Sequence, residues 1–206
     1  MPDLFWAVEP SNPPVARRQR AFTSPTVLTA VNSVNYDGGP EVTNGQLSLY
    51  FTSARVGGYG SSDIYVSNRA SQTEDWGTPV NLGTNTNTTF DEREATVSSG
   101  GLTLIFASNR DGNHDLFTST RNSLSDAWGP VTKMEYPINT TDSVESAPSI
   151  SGDGLILVFT SSRPGGSGAL DLYVTTRTSA TDAWAAPINL GTTVILMLHQ
   201  RFLATD

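Results

Sequence analysis

An all-β fold built from repeated four-stranded antiparallel sheets is predicted for this 206-residue chain by three observations. First, the stretch SSRPGGSGALDLYVTTR has two echoes earlier in the chain, TSARVGGYGSSDIYVSNR and ASNRDGNHDLFTSTR. Second, every copy has short apolar runs separated by clusters of Gly, Asn, Ser and Asp, which favour strands and turns. Third, no apolar run has the period of a long helix. Four strands repeated about every 50 residues are typical of β-propeller blades.

The copies align on one arginine each, and these anchors are Arg55, Arg110 and Arg163. Eighteen residues before each anchor comes an acid: Asp37, Glu92 and Glu145. After each anchor comes an aspartate that opens a strand: Asp63, Asp115 and Asp171. Thirteen residues after each aspartate comes a tryptophan: Trp76, Trp128 and Trp184. The regular spacing predicts that every copy folds in the same way, with a turn three residues shorter in the second copy.

This alignment divides the chain into consecutive blades. We expect a half blade of third and fourth strands over 1–35, blades over 36–90, 91–144 and 145–191, and an atypical tail over 192–206. About three and a half blades per chain are fewer than the roughly four to eight that close a propeller. Three explanations stay open: the tail supplies a closing strand, oligomerisation completes a larger ring, or the chain is a truncated remnant with an unrelated tail.

The third copy carries the motif most fully, with Pro148, Asp153, Gly154, Arg163, Pro164, Gly165, Gly166, Asp171, Tyr173, Trp184 and Pro187. Over about Asp37 to Gly191, this pattern resembles the TolB-like, WD-like propeller repeat of bacterial cell-envelope proteins, some of which also carry an OmpA-type peptidoglycan-binding domain. The second copy departs from it at Ala95, where a proline is expected. The resemblance implies an interaction or ligand-binding platform in the periplasm or cell envelope, and no particular reaction.

Composition narrows the classes of partner. The net charge of −8 and the pI near 4.6 argue against a nucleic-acid partner, because a phosphate backbone would be repelled. The chain has no cysteine and two histidines, so neither disulfides nor cysteine or histidine-rich metal sites are expected. No apolar stretch reaches the length of a membrane span. The start, MPDLFWAVEP, lacks the features of a signal peptide, so the compartment stays open.

The repeated acids are the candidate ligand-binding residues. Asp37, Glu92 and Glu145 come at the start of the innermost strand, and we expect them at one mouth of the central channel. A ring of carboxylates there would bind Ca²⁺ or a basic group of a partner. The alternative is that each acid forms a salt bridge or hydrogen bond that locks one blade to the next. No other cofactor is predicted.

The repeated arginines and tryptophans are assigned structural roles. The pairs Arg55–Asp63, Arg110–Asp115 and Arg163–Asp171 are predicted to clasp the glycine turn between the second and third strands, with anion capture as the alternative. The three tryptophans are predicted to pack between blades, with sugar stacking as the alternative.

The sequence favours a non-enzymatic scaffold that self-associates and recognises a protein, peptide or glycan at a channel mouth. One alternative is a carbohydrate-active enzyme, a glycoside hydrolase or polysaccharide lyase, which would use channel carboxylates as acid and base. Another is a truncated remnant capable only of self-assembly. His114 and His199 lie beside no nucleophile motif, so a serine-hydrolase triad is not predicted.

Overall fold

A computed structural model describes residues 5–6 and 24–191 of the chain. The described residues form strands and turns without any helix, so none of them builds a helix that could span a membrane. Three sheets have four antiparallel strands each, and a fourth sheet has two. In every four-stranded sheet the strands lie side by side in chain order. The predicted all-β fold of propeller blades is therefore confirmed.

The two-stranded sheet pairs β1 (Phe5–Trp6) with β2 (Thr26–Val27). Blade 1 contains β3 (Asp37–Val42), β4 (Ser48–Ser53), β5 (Asp63–Asn68) and β6 (Val80–Asn81). Blade 2 contains β7 (Glu92–Val97), β8 (Thr103–Ser108), β9 (Asp115–Thr120) and β10 (Thr132–Lys133). Blade 3 contains β11 (Glu145–Ile150), β12 (Ile156–Ser161), β13 (Asp171–Thr176) and β14 (Ile188–Asn189). The atypical tail over 192–206, for which a closing strand was one of the three explanations, lies outside the described residues.

The hydrophobic core lies between the blades. Where blade 1 meets blade 2, Tyr50 and Ile64 share one cluster with Phe106. Where blade 2 meets blade 3, Ile105 and Leu116 share a second cluster with other apolar side chains of blade 3. The second strands β4 and β8 are buried along their last five residues, because apolar side chains cover both of their faces. Face-to-face packing of this kind aligns the same end of every blade.

Backbone hydrogen bonds also join neighbouring blades. The amide of Glu92, which opens blade 2, donates to the carbonyl of Ser62 in blade 1 at 2.9 Å. The amide of Glu145, which opens blade 3, donates to the carbonyl of His114 in blade 2 at 2.8 Å. The first residues of the innermost strands of blades 2 and 3 are therefore fixed against the preceding blade.

A β-bulge interrupts the innermost strand of every blade just after its repeated acid. Gly39, Glu94 and Ala147 occupy the equivalent bulge position, with φ of 56°, 56° and 47°. A left-handed conformation costs little for glycine and more for a residue with a Cβ atom. Blades 2 and 3 thus hold a strained residue where blade 1 has glycine.

Replacing Ala147 with glycine is expected to raise the free energy of unfolding by about 0.5–1 kcal/mol, because relief of the left-handed strain outweighs the greater freedom of the unfolded chain. Urea unfolding followed by fluorescence measures the change. Ser149→Gly, in the same strand but without a positive φ, is the matched control and should be destabilising. Equal destabilisation by both substitutions would show that the bulge stores no strain.

Candidate functional site

Each blade has an arginine cluster at the end where its innermost strand begins. In blade 2, Arg110 Nε donates to Ser108 Oγ at 3.0 Å. Its Nη2 donates to the carbonyl of Thr86 at 2.7 Å and to Glu92 Oε1 at 3.2 Å. Because Thr86 lies in the connection that leaves blade 1, the guanidinium ties the connection, the second strand and the innermost strand together.

The cluster recurs in all three blades. Arg55 contacts Ser53, Val31 and Asp37, and Arg163 contacts Ser161, Ile138 and Glu145. Each guanidinium also lies over two aromatic rings, 4.7–5.4 Å from their centroids. These rings are Phe51 and Tyr65, Phe106 and Phe117, and Phe159 and Tyr173. A planar guanidinium satisfies both the carboxylate and the rings, which a lysine would not.

The repeated acids are paired with the arginines of these clusters. Asp37, Glu92 and Glu145 are only 2 %, 0 % and 0 % exposed. Burial alone would raise the pKa of Asp37, but hydrogen bonds from Ser53, Ser33 and Arg55 outweigh it and lower the pKa. The expectation of an accessible carboxylate ring at a channel mouth is therefore wrong: the acids face the arginines, as in the blade-locking alternative. In this arrangement they offer no open site for a ligand or Ca²⁺.

The predicted pairing of Arg55 with Asp63, Arg110 with Asp115 and Arg163 with Asp171 is also wrong. The arginines take the acids eighteen residues earlier instead. The Asp63 carboxylate accepts hydrogen bonds from the backbone amides of Tyr59 and Gly60, at 2.6 and 3.2 Å. Asp171 accepts from two amides of its own turn in the same way. The physical reason is that a glycine-rich turn leaves free N–H groups, and the nearest carboxylate satisfies them.

The tryptophans lie at the contacts between blades. Trp128 is 5 % exposed, and its ring meets Tyr50 of blade 1 edge to face, with the centroids 6.3 Å apart. The Arg121 guanidinium covers the other side of the ring at 4.3 Å. Trp76 is buried in the equivalent position, and Trp184 is partly buried against the core between blades 2 and 3.

Blade 2 breaks the repeat next to Asp115. In blade 1, Asn81 Nδ2 donates to Asp63 at 2.8 Å. Blade 2 has Lys133, the chain's single lysine, in place of this asparagine, and its Nζ lies 2.6 Å from Asp115 Oδ2 and 3.8 Å from Asp111 Oδ2. The shorter β8–β9 turn and the altered connection to blade 3 leave a depression here.

The depression has a volume of about 400 Å³. Its lining includes Asp111, Asp115, Lys133, Glu135, Tyr136 and Asp142. Asp115 is buried and Asp111 is half exposed, whereas the Tyr136 side chain is 82 % exposed. With four carboxylates and one ammonium group, the depression favours a cationic group over an anionic one.

A second polar cluster joins the starts of β7 and β9. Asp91 Oδ2 lies 2.9 Å from Arg93 Nη2 and 3.2 Å from His114 Nε2. The hydrogen bond from His114 is the main cause that lowers the pKa of Asp91, with Arg93 adding to it. The Asp91 carboxylate is thus held ionised, and the His114 side chain is mostly covered.

Two asparagines escaped the sequence analysis. Asn87 accepts the Ile64 amide through Oδ1 at 2.8 Å and donates to the Ile64 carbonyl through Nδ2 at 2.9 Å. Asn139 makes the same pair of bonds with Leu116. Both are buried and extend the third strand into the next connection. The sequence feature that could have identified both asparagines is the Asn-Thr pair that comes shortly before Glu92 and again before Glu145.

Glu41, on the innermost strand of blade 1, was also missed. Its Oε1 accepts a hydrogen bond from the Thr96 hydroxyl of blade 2 at 3.3 Å. Burial by that blade raises the pKa of Glu41 to about 7, despite the hydrogen bonds from Thr96 and Val97 that favour the ionised form. A carboxyl group that gains its proton near neutral pH therefore lies between the two innermost strands.

The described residues hold no group of three or more His, Asp or Glu side chains arranged to bind a metal ion. The sequence matches no family model, and no curated protein matches it. Among solved structures, TolB from Acinetobacter baumannii is similar, with a TM-score of 0.54, 18 % identity, and coverage of 78 % of this chain and 35 % of that one. A putative TolB from Agrobacterium tumefaciens has a TM-score of 0.50, 17 % identity, and coverage of 76 % and 48 %.

The chain thus spans between about a third and a half of the length of these two structures. At identities below 20 % the likeness concerns the fold. The sequence-based prediction of a TolB-like β-propeller is confirmed at that level.

Proposed function

Taking the TolB-like propeller as the premise, we propose that the chain is a non-enzymatic protein-interaction scaffold. Its partner binds at the acidic depression of blade 2 through a basic segment. The observation that carries the proposal is the break in the repeat at Lys133. Positions that are alike in every blade serve packing, as the arginine clusters do, whereas a position that differs in one blade is free to serve a partner.

The exposed groups around the depression suit a peptide. Tyr136 offers an apolar ring with a polar end, a residue type enriched at protein interfaces. Glu135 and Asp142 are exposed carboxylates beside it, while Lys133 is already held by Asp115. An arginine or lysine of the partner would meet these carboxylates, and the net charge of −8 would speed its approach.

A carbohydrate-active enzyme is less well supported. It would need two carboxyl groups facing a substrate at a separation of roughly 5–10 Å. The three acids considered for that role are each bound by an arginine and are at most 2 % exposed. A binding role needs none of them to be free.

Binding is tested with a library of fluorescent basic and acidic peptides, read by anisotropy. The triple variant Asp111→Asn, Glu135→Gln, Asp142→Asn is expected to weaken the best basic peptide at least tenfold, since each rim charge adds to its attraction. Affinity should also fall as salt is raised, because these groups are exposed to solvent.

The matched control removes three exposed acids elsewhere: Glu74→Gln, Asp75→Asn and Asp126→Asn. It should keep the wild-type affinity, although it changes the net charge by the same amount. Equal loss in both triple variants would show nonspecific charge attraction. Absence of binding by every basic peptide would contradict the proposed site.

A further inference from the structure

Each blade has a rear face, which we define by the side chains of its second and third strands that point toward the following blade. In blade 1 this face includes Tyr50, Thr52 and Ile64, which are 2 %, 2 % and 0 % exposed. The innermost strand of blade 2 lies against them. In blade 2 the equivalent residues are covered by blade 3 in the same way. In both of these blades the next blade thus covers the rear face.

The rear face of blade 3 differs. Val158, Thr160 and Leu172 occupy the equivalent positions, and all three are only half-buried. Leu170, at its margin, is 52 % exposed. Within residues 24–191 no further blade lies against this face. An apolar sheet face left open in this way marks an interaction surface.

The charge of the face indicates which partner it suits. Val158, Thr160, Leu170, Leu172, Val174 and Ile188 carry no ionisable group. On a chain of net charge −8, the overall charge opposes contact between two copies. A neutral face is where two copies meet without that repulsion.

The size of the face suits a small interface. Three adjacent strands of six residues, with the two-residue β14 beside them, make a surface of roughly 20 by 15 Å. Pairing two such faces, with their flanking loops, buries on the order of 800–1,000 Å² in total, the size of a weak or transient interface. The expected dimer is therefore a weak one.

We propose that the rear face of blade 3 binds the same face of a second copy of this chain. A two-fold axis relates the two copies, so both contribute the same residues to the contact. The two sheets pack face to face with their strands within about 30° of each other, as in a β-sandwich. The rear face of blade 3 is thus the proposed surface for the self-association that the sequence predicted.

The test is the solution mass of the full chain by light scattering at about 1–200 µM, a range wide enough to detect a weak or transient dimer. The wild type should rise from 22.0 kDa toward twice that mass. Val158→Glu sets two like charges near the axis and should remain monomeric throughout. Val56→Glu is the matched control, because Val56 is 92 % exposed in a turn away from the face, and it should dimerise like the wild type.

A mixture of Val158→Glu with Val158→Lys should restore the dimer, because opposite charges then face each other; circular dichroism of each variant verifies folding. A wild-type mass of 22.0 kDa at every concentration would overturn the proposal. A dimer that survives Val158→Glu in folded protein would overturn the assigned face. A monomer that dimerises only after deletion of 192–206 would assign the face to that segment and overturn pairing in the full chain.

Discussion

Glu92→Ala is expected to lower the free energy of unfolding by about 3–5 kcal/mol, the range for removing one partner of a buried ion pair. The Glu92 carboxylate is fully buried and accepts hydrogen bonds from Thr88, Ser108 and Arg110. Its loss leaves a mostly covered guanidinium without a counter-charge and three donors, the Thr88 amide and the Thr88 and Ser108 hydroxyls, without this acceptor. Denaturant unfolding measures the change.

Glu74→Ala, at an exposed position in the loop before Trp76, is the matched control and should alter stability by less than about 0.5 kcal/mol. The double variant Glu92→Ala, Arg110→Met should lose less stability than the sum of its single variants, because no isolated charge then remains buried. A cost below about 1 kcal/mol for Glu92→Ala would mean that the cluster contributes little to folding.

Stability is expected to fall by about 3 kcal/mol between pH 4.5 and 7 because of Glu41. Its pKa is about 7 in the folded chain and 4.5 as the reference value. The folded state therefore binds the proton more tightly than the unfolded state. The stabilisation is complete below the unfolded pKa and is lost as the pH rises through the folded pKa.

Glu41→Gln isolates this contribution, since its amide keeps a neutral group of the same shape beside Thr96. The difference in unfolding free energy between variant and wild type, measured from pH 4 to 8, should favour the variant increasingly toward high pH. Groups with lowered pKa, such as Asp37 and Asp91, act below their reference value of 3.8 and in the opposite direction. A pH-independent difference would refute the titration of Glu41.

The strands were predictable because their signals are local and repeated. The third strands begin at Asp63, Asp115 and Asp171, where the alignment of the chain with itself had placed them. The short apolar runs in every copy predicted the second strands in the same way. Residues repeated at fixed spacing indicate the fold, because equivalent positions make the same packing contacts in every blade.

The partners of the arginines were not predictable, because Asp37 and Asp63 both lie opposite Ser53, on the two strands that flank β4. Spacing alone cannot distinguish the two aspartates. They differ because Asp63 accepts hydrogen bonds from the amides of its turn, which leaves Asp37 as the partner of Arg55. The burial of Glu41 was invisible for a different reason. It comes from the neighbouring blade, and a pattern read within one copy contains no information about the next one.

The bonds from Glu92 to Ser62 and from Glu145 to His114 link each blade only to its immediate neighbour. A chain joined in this manner behaves as a one-dimensional array, whose stability is a sum of unit and nearest-neighbour terms. The two junctions also have separate apolar clusters. A substitution that weakens the contact between blades 1 and 2 is therefore expected to leave the contact between blades 2 and 3 in place.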